Sequence, residues 1–208
     1  MSHIPTVLVA CEYSGWVRDA FKKAGCIAFS CDLLQSDTPG HHYQGDVTPF
    51  LDKYWDLIIA HPPCTYLCNS GAKHLYNGMS KANGINQDRW DKMEAGSRFM
   101  KTIMDADCPR IAVENPIMMG HAKEIIGRGQ DQIIQPWQFG HGEIKATCLW
   151  LKGLPKLQPT NIVDGREAKV HKMGPSPDRW KKRSTTYQGV ADAMAAQWAP
   201  LLFSVLDN

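Results

Sequence analysis

Two short runs in this 208-residue chain join a reactive or ionisable side chain to the end of an apolar stretch stiffened by proline. The first is Leu57-Ile58-Ile59-Ala60 leading into His61-Pro62-Pro63-Cys64, and the second is Arg110-Ile111-Ala112-Val113 leading into Glu114-Asn115-Pro116. A thiol on a rigid turn suits nucleophilic attack, provided a neighbour lowers its pKa. A carboxyl group facing it suits proton donation or activation of an electrophilic heterocycle. Taken singly, Cys64 also fits a small buried hydrophobe in a strand-to-loop turn, and Glu114 an ordinary strand-end acid. Two such ends in one parallel sheet can converge on one pocket.

The elements that position these residues are legible from apolar runs and turn residues. Leu57 to Ala60 and Arg110 to Val113 read as buried strands. In an open α/β sheet the carboxyl edge of such strands is where ligands bind. Thr6 to Ala10 reads as a first strand and Val17 to Ala24 as a helix stopped by Gly25. Between them, Cys11-Glu12-Tyr13-Ser14-Gly15 forms a turn in which Gly15 permits close approach to a ligand, ahead of a helix amino end that favours negative charge. Cys26 to Cys31 reads as a second strand ending in Asp32, where nucleotide-binding α/β folds place a carboxylate for ribose hydroxyls. Ser36 to Gln44 reads as loop, its His41-His42 pair having no third metal ligand nearby, and Gly45-Asp46-Val47 as a short strand end with Asp46 able to meet an adenine edge.

The polar stretch from Cys64 to about Asn86 reads as a functional loop, and Asp88 to Asp105 as a helix with an apolar core-facing stripe. Gln132 to Leu151 reads as a strand pair joined by a Gly140/Gly142 turn, and Gln188 to Val205 as a terminal helix.

The formal charge of +2 is unevenly spread: Lys152 to Arg183 holds nine basic and three acidic residues, so it carries +6 and leaves −4 for the rest. That segment, with His171 and Trp180, is either an electrostatic footprint for a polyanion or a solvated loop. Seven cysteines, odd in number and mostly inside apolar runs, point to reduced thiols, and their spacing predicts no zinc site. The opening apolar run is too short to span a membrane and lacks a basic leader, so a soluble cytoplasmic protein is expected.

Pro62-Pro63-Cys64 followed by Glu114-Asn115-Pro116, with Asp32 and Asp46 between the first turn and the cysteine, resembles the DNA cytosine C5-methyltransferases. Gln135 to Gly142 and Lys145 to Leu151 make the chain similar to short phage and prophage versions of that family. The resemblance implies an α/β fold, the Rossmann-like S-adenosylmethionine-dependent (class I) three-layer sandwich with a mostly parallel sheet. It implies a catalytic core over 1–151, a basic nucleic-acid-contacting segment over 152–185, and a terminal segment over 186–208 packed back on the core.

It further implies that Cys64 attacks C6 of a flipped cytosine in DNA, that Glu114 holds the proton on N3, and that Pro63, Asn115 and Lys145 support them. S-adenosylmethionine would be held by Cys11, Glu12, Tyr13, Ser14, Gly15, Asp32, Leu33, Asp46, Val47, His61 and Pro62, and DNA by Lys169, Lys172, Arg179, Lys181, Lys182 and Arg183. A role protecting viral DNA from restriction fits the same resemblance.

This chain departs from the family at several positions. Glu12 and Ser14 stand near the first two glycines of its Phe-x-Gly-x-Gly-Gly turn, Thr65-Tyr66 replaces Gln-Ala/Ser after the cysteine, and Lys145 and Thr147 stand where an Arg-x-Arg pair is usual. Tyr187 to Ala191 stands in for the last cofactor motif, and there is no room for a large target-recognition domain. Short-site or lax specificity and salt-sensitive DNA binding are therefore expected. The competing readings are an amino-methyltransferase, whose motif ends in an aromatic residue where Cys64 stands, a free-nucleotide enzyme, and a catalytically silent nucleic-acid-binding protein. A monomer or a homodimer is compatible with each.

Overall fold

The structure is a computed structural model that describes residues 3–176 and 179–203, without the side chains of His171, Trp180 and Lys182. Its centre is a seven-stranded sheet of β1 (Thr6–Ala10), β2 (Ile27–Asp32), β3 (His42–Gln44), β4 (Leu57–Ala60), β5 (Ile111–Pro116), β6 (Gln132–Ile134) and β7 (Thr147–Lys152), in the order β3-β2-β1-β4-β5-β7-β6. Strand β7 runs antiparallel to β5 and β6, and the other pairs are parallel.

The continuous apolar runs of β1 and β4 reflect burial on both faces. On one face, Leu8, Ile58 and Val113 pack with Met93, Met100 and Ile103 of α3 (Gln87–Met104) and with Ala122 and Ile126 of α4 (Gly120–Ile126). On the other, Val7, Val9, Leu57 and Ile59 pack with Val17 and Phe21 of α1 (Trp16–Lys23) and with Val190, Met194 and Trp198 of α7 (Gln188–Trp198). Each large apolar side chain so buried contributes about 1.5–3 kcal/mol before the entropy of ordering the chain is charged against it. The result is the expected Rossmann-like three-layer sandwich. Its strand order turns back between β1 and β4, and the turn carrying Glu12 and the turn carrying Cys64 leave the sheet side by side at that carboxyl edge, where such folds form their ligand crevice.

Several local expectations are corrected. His42 to Gln44 is a strand rather than loop, paired in register with Ser30 to Asp32, and it lacks an apolar signature because it is an exposed edge. Gly45-Asp46-Val47 is not a strand end but the entry to α2 (Thr48–Leu51). The polar stretch after Cys64 contains three short 3-10 turns, Asn69–Leu75, Asn77–Met79 and Lys81–Asn83. Helix α4 and two short helices in the basic segment, α5 (Lys169–Lys172) and α6 (Arg179–Ser184), were not expected. The terminal helix is interrupted before Pro200, where α8 (Pro200–Phe203) begins, and Val205 lies outside the described residues. Among the described residues no helix is long and apolar enough to cross a membrane.

Candidate active site

Proline at 62 and 63 stops β4 after Ala60 and fixes the path of the next residues. The His61 backbone N–H still donates to Ala10 O at 2.9 Å, extending the β1–β4 ladder by one rung. Cys64 then opens a helical turn, its carbonyl accepting from Leu67 N at 3.0 Å and Cys68 N at 3.1 Å. On the adjacent strand, Asn115 is buried and its Nδ2 donates to Pro62 O at 2.8 Å, tying the end of β5 to the cysteine turn. Glu114, one residue earlier, meets His61, with Nδ1 and Oε2 3.1 Å apart. From the far side, Arg89 of α3 donates to Thr65 O at 2.9 Å and stacks its guanidinium over Tyr66 at 4.4 Å.

Cys64 is half-buried. Burial, then the charge of Glu114 and the neighbouring Cys68, push its thiol up, and Lys145 pulls the other way without reversing the shift. The condition for a resting thiolate is therefore unmet. Glu114 shows the opposite balance: burial raises its pKa, but the hydrogen bond and charge of His61, with Lys145, outweigh burial and hold it below the usual value. Lys145 thus faces both groups, and its Nζ also donates to Thr185 O at 3.3 Å and lies 5.5 Å from the centre of the Tyr187 ring.

Across the crevice, Cys11 leaves β1 with φ of +58°, a left-handed conformation costly for a non-glycine residue. Burial, followed by Asp32, Cys31 and Asp46, pushes its thiol up to about 12. Glu12 is buried, and its carboxylate accepts from Val17 N at 2.7 Å and Arg18 N at 3.2 Å. The amino end of α1 is therefore already occupied by the protein's own anion, and burial raises the Glu12 pKa against these bonds and the charge of His61. Ser14 donates to Glu12 at 3.3 Å. Gly15 does not open space for a ligand: a Cβ there would lie 2.1 Å from Thr38 Oγ1, so the loop after β2 fills that approach.

Asp32 accepts from Leu34 N at 2.9 Å, and burial raises its pKa. Beside it, Leu33 is 74% exposed, an apolar side chain facing open space next to a carboxylate. Asp46 is exposed and caps α2 through Thr48 N and Oγ1, both at 2.9 Å, while Val47 belongs to the core with Leu51 and Trp55. Neither has the pocket-facing side chain expected of it.

These residues suit a cationic nucleoside cofactor better than a phosphate-bearing one. Asp32 and Glu114 are the carboxyl groups that could meet a sulfonium or an ammonium group, and the helix end that would seat a pyrophosphate is taken by Glu12. Among the described residues no group of three or more His, Cys, Asp or Glu could hold a metal ion.

The basic segment lies closer to this site than its sequence suggested. Tyr13, buried, donates its hydroxyl to Lys181 O of α6 at 2.8 Å, and the Lys181 ammonium pairs with Asp37 at 2.7 Å. With Lys145 holding Thr185 O, the chain from 181 to 185 bridges the β1 turn and the approach to β7. Of the expected DNA contacts, Lys169 pairs with Glu143 and Glu167, and Arg179 donates to Met173 O at 3.0 Å. Lys172 is exposed and Arg183 half-exposed, while the Lys182 side chain lies outside the described residues.

Two features escaped the sequence reading. Arg18 is a fully buried cation whose guanidinium reaches Ser30, Ser36, Thr38 and Pro39 as well as Asp19. Its signal was its place beside Val17 and Phe21 on the buried face of α1. The second is Arg89, which fixes the turn after Cys64 from the first turn of α3, and nothing in its local sequence marks it.

No protein-family model matches the chain, and no curated protein matches it. Among solved structures, a prophage-encoded candidate DNA modification methyltransferase of E. coli aligns over 82% of this chain and 55% of its own, at 15% identity and a TM-score of 0.44. A methyltransferase of Entamoeba histolytica, EhMeth, aligns over 84% and 61% respectively, at 13% identity and a TM-score of 0.42. The chain thus spans little more than half the length of either, and these likenesses assign no residue a role.

Proposed function

We propose that this chain is a DNA (cytosine-5-)-methyltransferase, transferring a methyl group from S-adenosylmethionine to C5 of cytosine in DNA through a covalent Cys64 adduct. The observation that carries the reading is the juxtaposition of Cys64 and Glu114 on neighbouring strand ends, locked by the 2.8 Å bond from Asn115 to Pro62. In this reading the Cys64 thiol proton passes by way of Glu114 to N3 as Sγ bonds to C6 of an extruded cytosine, so negative charge does not build on the ring. Bound S-adenosylmethionine supplies the methyl group that C5 takes up. Loss of the C5 proton to water and cleavage of the C6–S bond, with the N3 proton passing back by way of Glu114, then restore the Cys64 thiol.

The electrostatics support a substrate-triggered nucleophile. Glu114 is among the groups that keep the Cys64 thiol protonated. Passage of the thiol proton to Glu114 removes that repulsion as attack begins, and the Lys145 charge then favours the thiolate. Extruding the base costs a few kcal/mol, which phosphate contacts from the exposed Lys172 and from Arg183 help offset.

The test is a DNA duplex bearing 5-fluorocytosine, incubated with the protein and S-adenosylmethionine, because fluorine at C5 cannot leave as a proton does. A protein–DNA adduct in the wild type and none in Cys64→Ser is expected. Cofactor binding without any adduct would assign an amino group or a free nucleotide as acceptor. Failure to bind the cofactor as well would assign a silent DNA-binding protein.

A further inference from the structure

His61 is a buried side chain, 7% exposed, at the switch point of the sheet. Its Nδ1 is occupied by Glu114 Oε2 at 3.1 Å, while its Nε2 is buried with no hydrogen-bond partner among the described residues. Buried polar atoms without partners are uncommon, and the unmet donor or acceptor at Nε2 leaves Glu114 as the imidazole's one polar partner among the described residues. Glu114 Oε1 has no hydrogen bond to the described residues, so the contact divides the carboxyl group: one oxygen is held by the protein and one is left for a ligand.

Charged groups surround this imidazole from each strand end. Glu12 after β1 and Asp32 at the end of β2 both feel its charge, Glu114 of β5 bonds to it, and Lys145 before β7 acts on Glu114. Cys64 lies three residues along its own turn.

Taking Glu114 as the group that meets cytosine N3, a reading on which this inference rests, we infer that His61 is the positioning residue of the site: it fixes Glu114 Oε2 and so leaves Oε1 for the base. The proton balance closes on the thiol: the Cys64 proton passes by way of Glu114 to N3 as the S–C6 bond forms, and returns by the same route on elimination. The hydrogen bond from His61 also explains why a carboxyl group this buried is held below its usual pKa.

The decisive experiment needs neither cofactor nor DNA. In the full chain with isotope-labelled histidine, the His61 ring resonance, identified by its loss in His61→Asn, is followed by NMR through a pH titration. Replacing the partner by Glu114→Gln is expected to lower the His61 midpoint by about one pH unit. An unchanged midpoint overturns the inference.

A second measurement reads the consequence. Asparagine places an amide N–H where Nδ1 was, so His61→Asn keeps the bond to Glu114 but cannot titrate, whereas His61→Ala loses both. In single-turnover transfer to DNA, His61→Asn is expected to exceed His61→Ala by about tenfold and to lose the histidine limb of the pH–rate profile. Equal rates in the two variants, with a wild-type profile, overturn the proposed role. A normal His61–Glu114 titration in a wild-type protein that traps no fluorocytosine would instead overturn the cytosine reading, leaving the pair itself standing.

Discussion

Asp56, just before β4, and His61, just after it, are buried polar side chains at opposite edges of one sheet. At the amino edge Asp56 accepts from Thr6 N at 2.7 Å, Thr6 Oγ1 and Tyr54 Oη at 3.1 Å, and meets His3 at 2.9 Å. At the carboxyl edge, five residues further on, His61 Nε2 and Asn115 Oδ1 are buried without partners among the described residues. The first edge is closed chemically: its polar atoms are spent on the fold. The second keeps unsatisfied atoms where the strand order turns back, and a protein tolerates that cost where a ligand is to meet them.

Substitutions at the two edges should therefore fail in different ways. The largest effect is expected at the carboxyl edge: Cys64→Ser abolishes trapping on fluorocytosine DNA, and Glu114→Gln slows methyl transfer about a thousandfold, with both urea-unfolding midpoints near the wild type. Parallel losses of folding in these variants would break the contrast. At the amino edge Asp56→Ala is expected to cost about 2–3 kcal/mol in urea unfolding and to leave the rate per folded molecule unchanged.

Acid sharpens the same contrast through opposite signs. Burial alone would raise the Asp56 pKa, but its bonds from Thr6, His3 and Tyr54 hold it below the usual value. Its stabilisation is fully present above an unfolded pKa of about 3.9 and is lost as pH falls through the lower folded value. Asp32 is raised by burial, so its ionised form opposes folding, and that penalty disappears as pH falls below its unfolded value. Unfolding measured against pH should show Asp56→Asn flattening the acid limb and Asp32→Asn raising the midpoint slightly at neutral pH. The smallest effects belong to the basic segment, where Lys172→Ala and Arg183→Ala are each expected to reduce the slope of log affinity for DNA against log salt by about one. A flat salt response in the wild type would remove this segment from the binding account.

Much of the closed architecture was legible because burial leaves a compositional trace. Strands Thr6–Ala10 and Leu57–Ala60 were bounded correctly, since β-branched runs ended by turn residues have few other uses. Strand β3 was missed because His42, Tyr43 and Gln44 form an exposed edge, and their pairing rests on backbone bonds that any sequence can make. Helix α4 was missed because in seven residues it buries only Ala122 and Ile126, too few for a periodic signal. In the site, Cys64 and Glu114 were visible through their prolines, and the structure brings their strand ends together. The jobs of Gly15 and Asp46 were not visible: the residues that fill the space beside Gly15 or accept capping by Asp46 are set by tertiary contacts. His61 stood in plain view, but that Glu114 rather than a ligand occupies its Nδ1 depends on the β4–β5 register, Ala60 against Val113.

The reversed strand has a consequence for how the chain assembles as it is made. Strand β6 is synthesised before β7 yet touches only β7 in the sheet, and β5 keeps an open edge until β7 arrives beside it. The two last strands must therefore dock as a hairpin, and the edge carrying Glu114 and Asn115 stays unpaired until residue 152 has emerged. A ribosome-bound chain stalled before that point would hold β5 as an open edge, a template for pairing with other chains, so the half-made protein is at its most aggregation-prone where the finished one is most reactive.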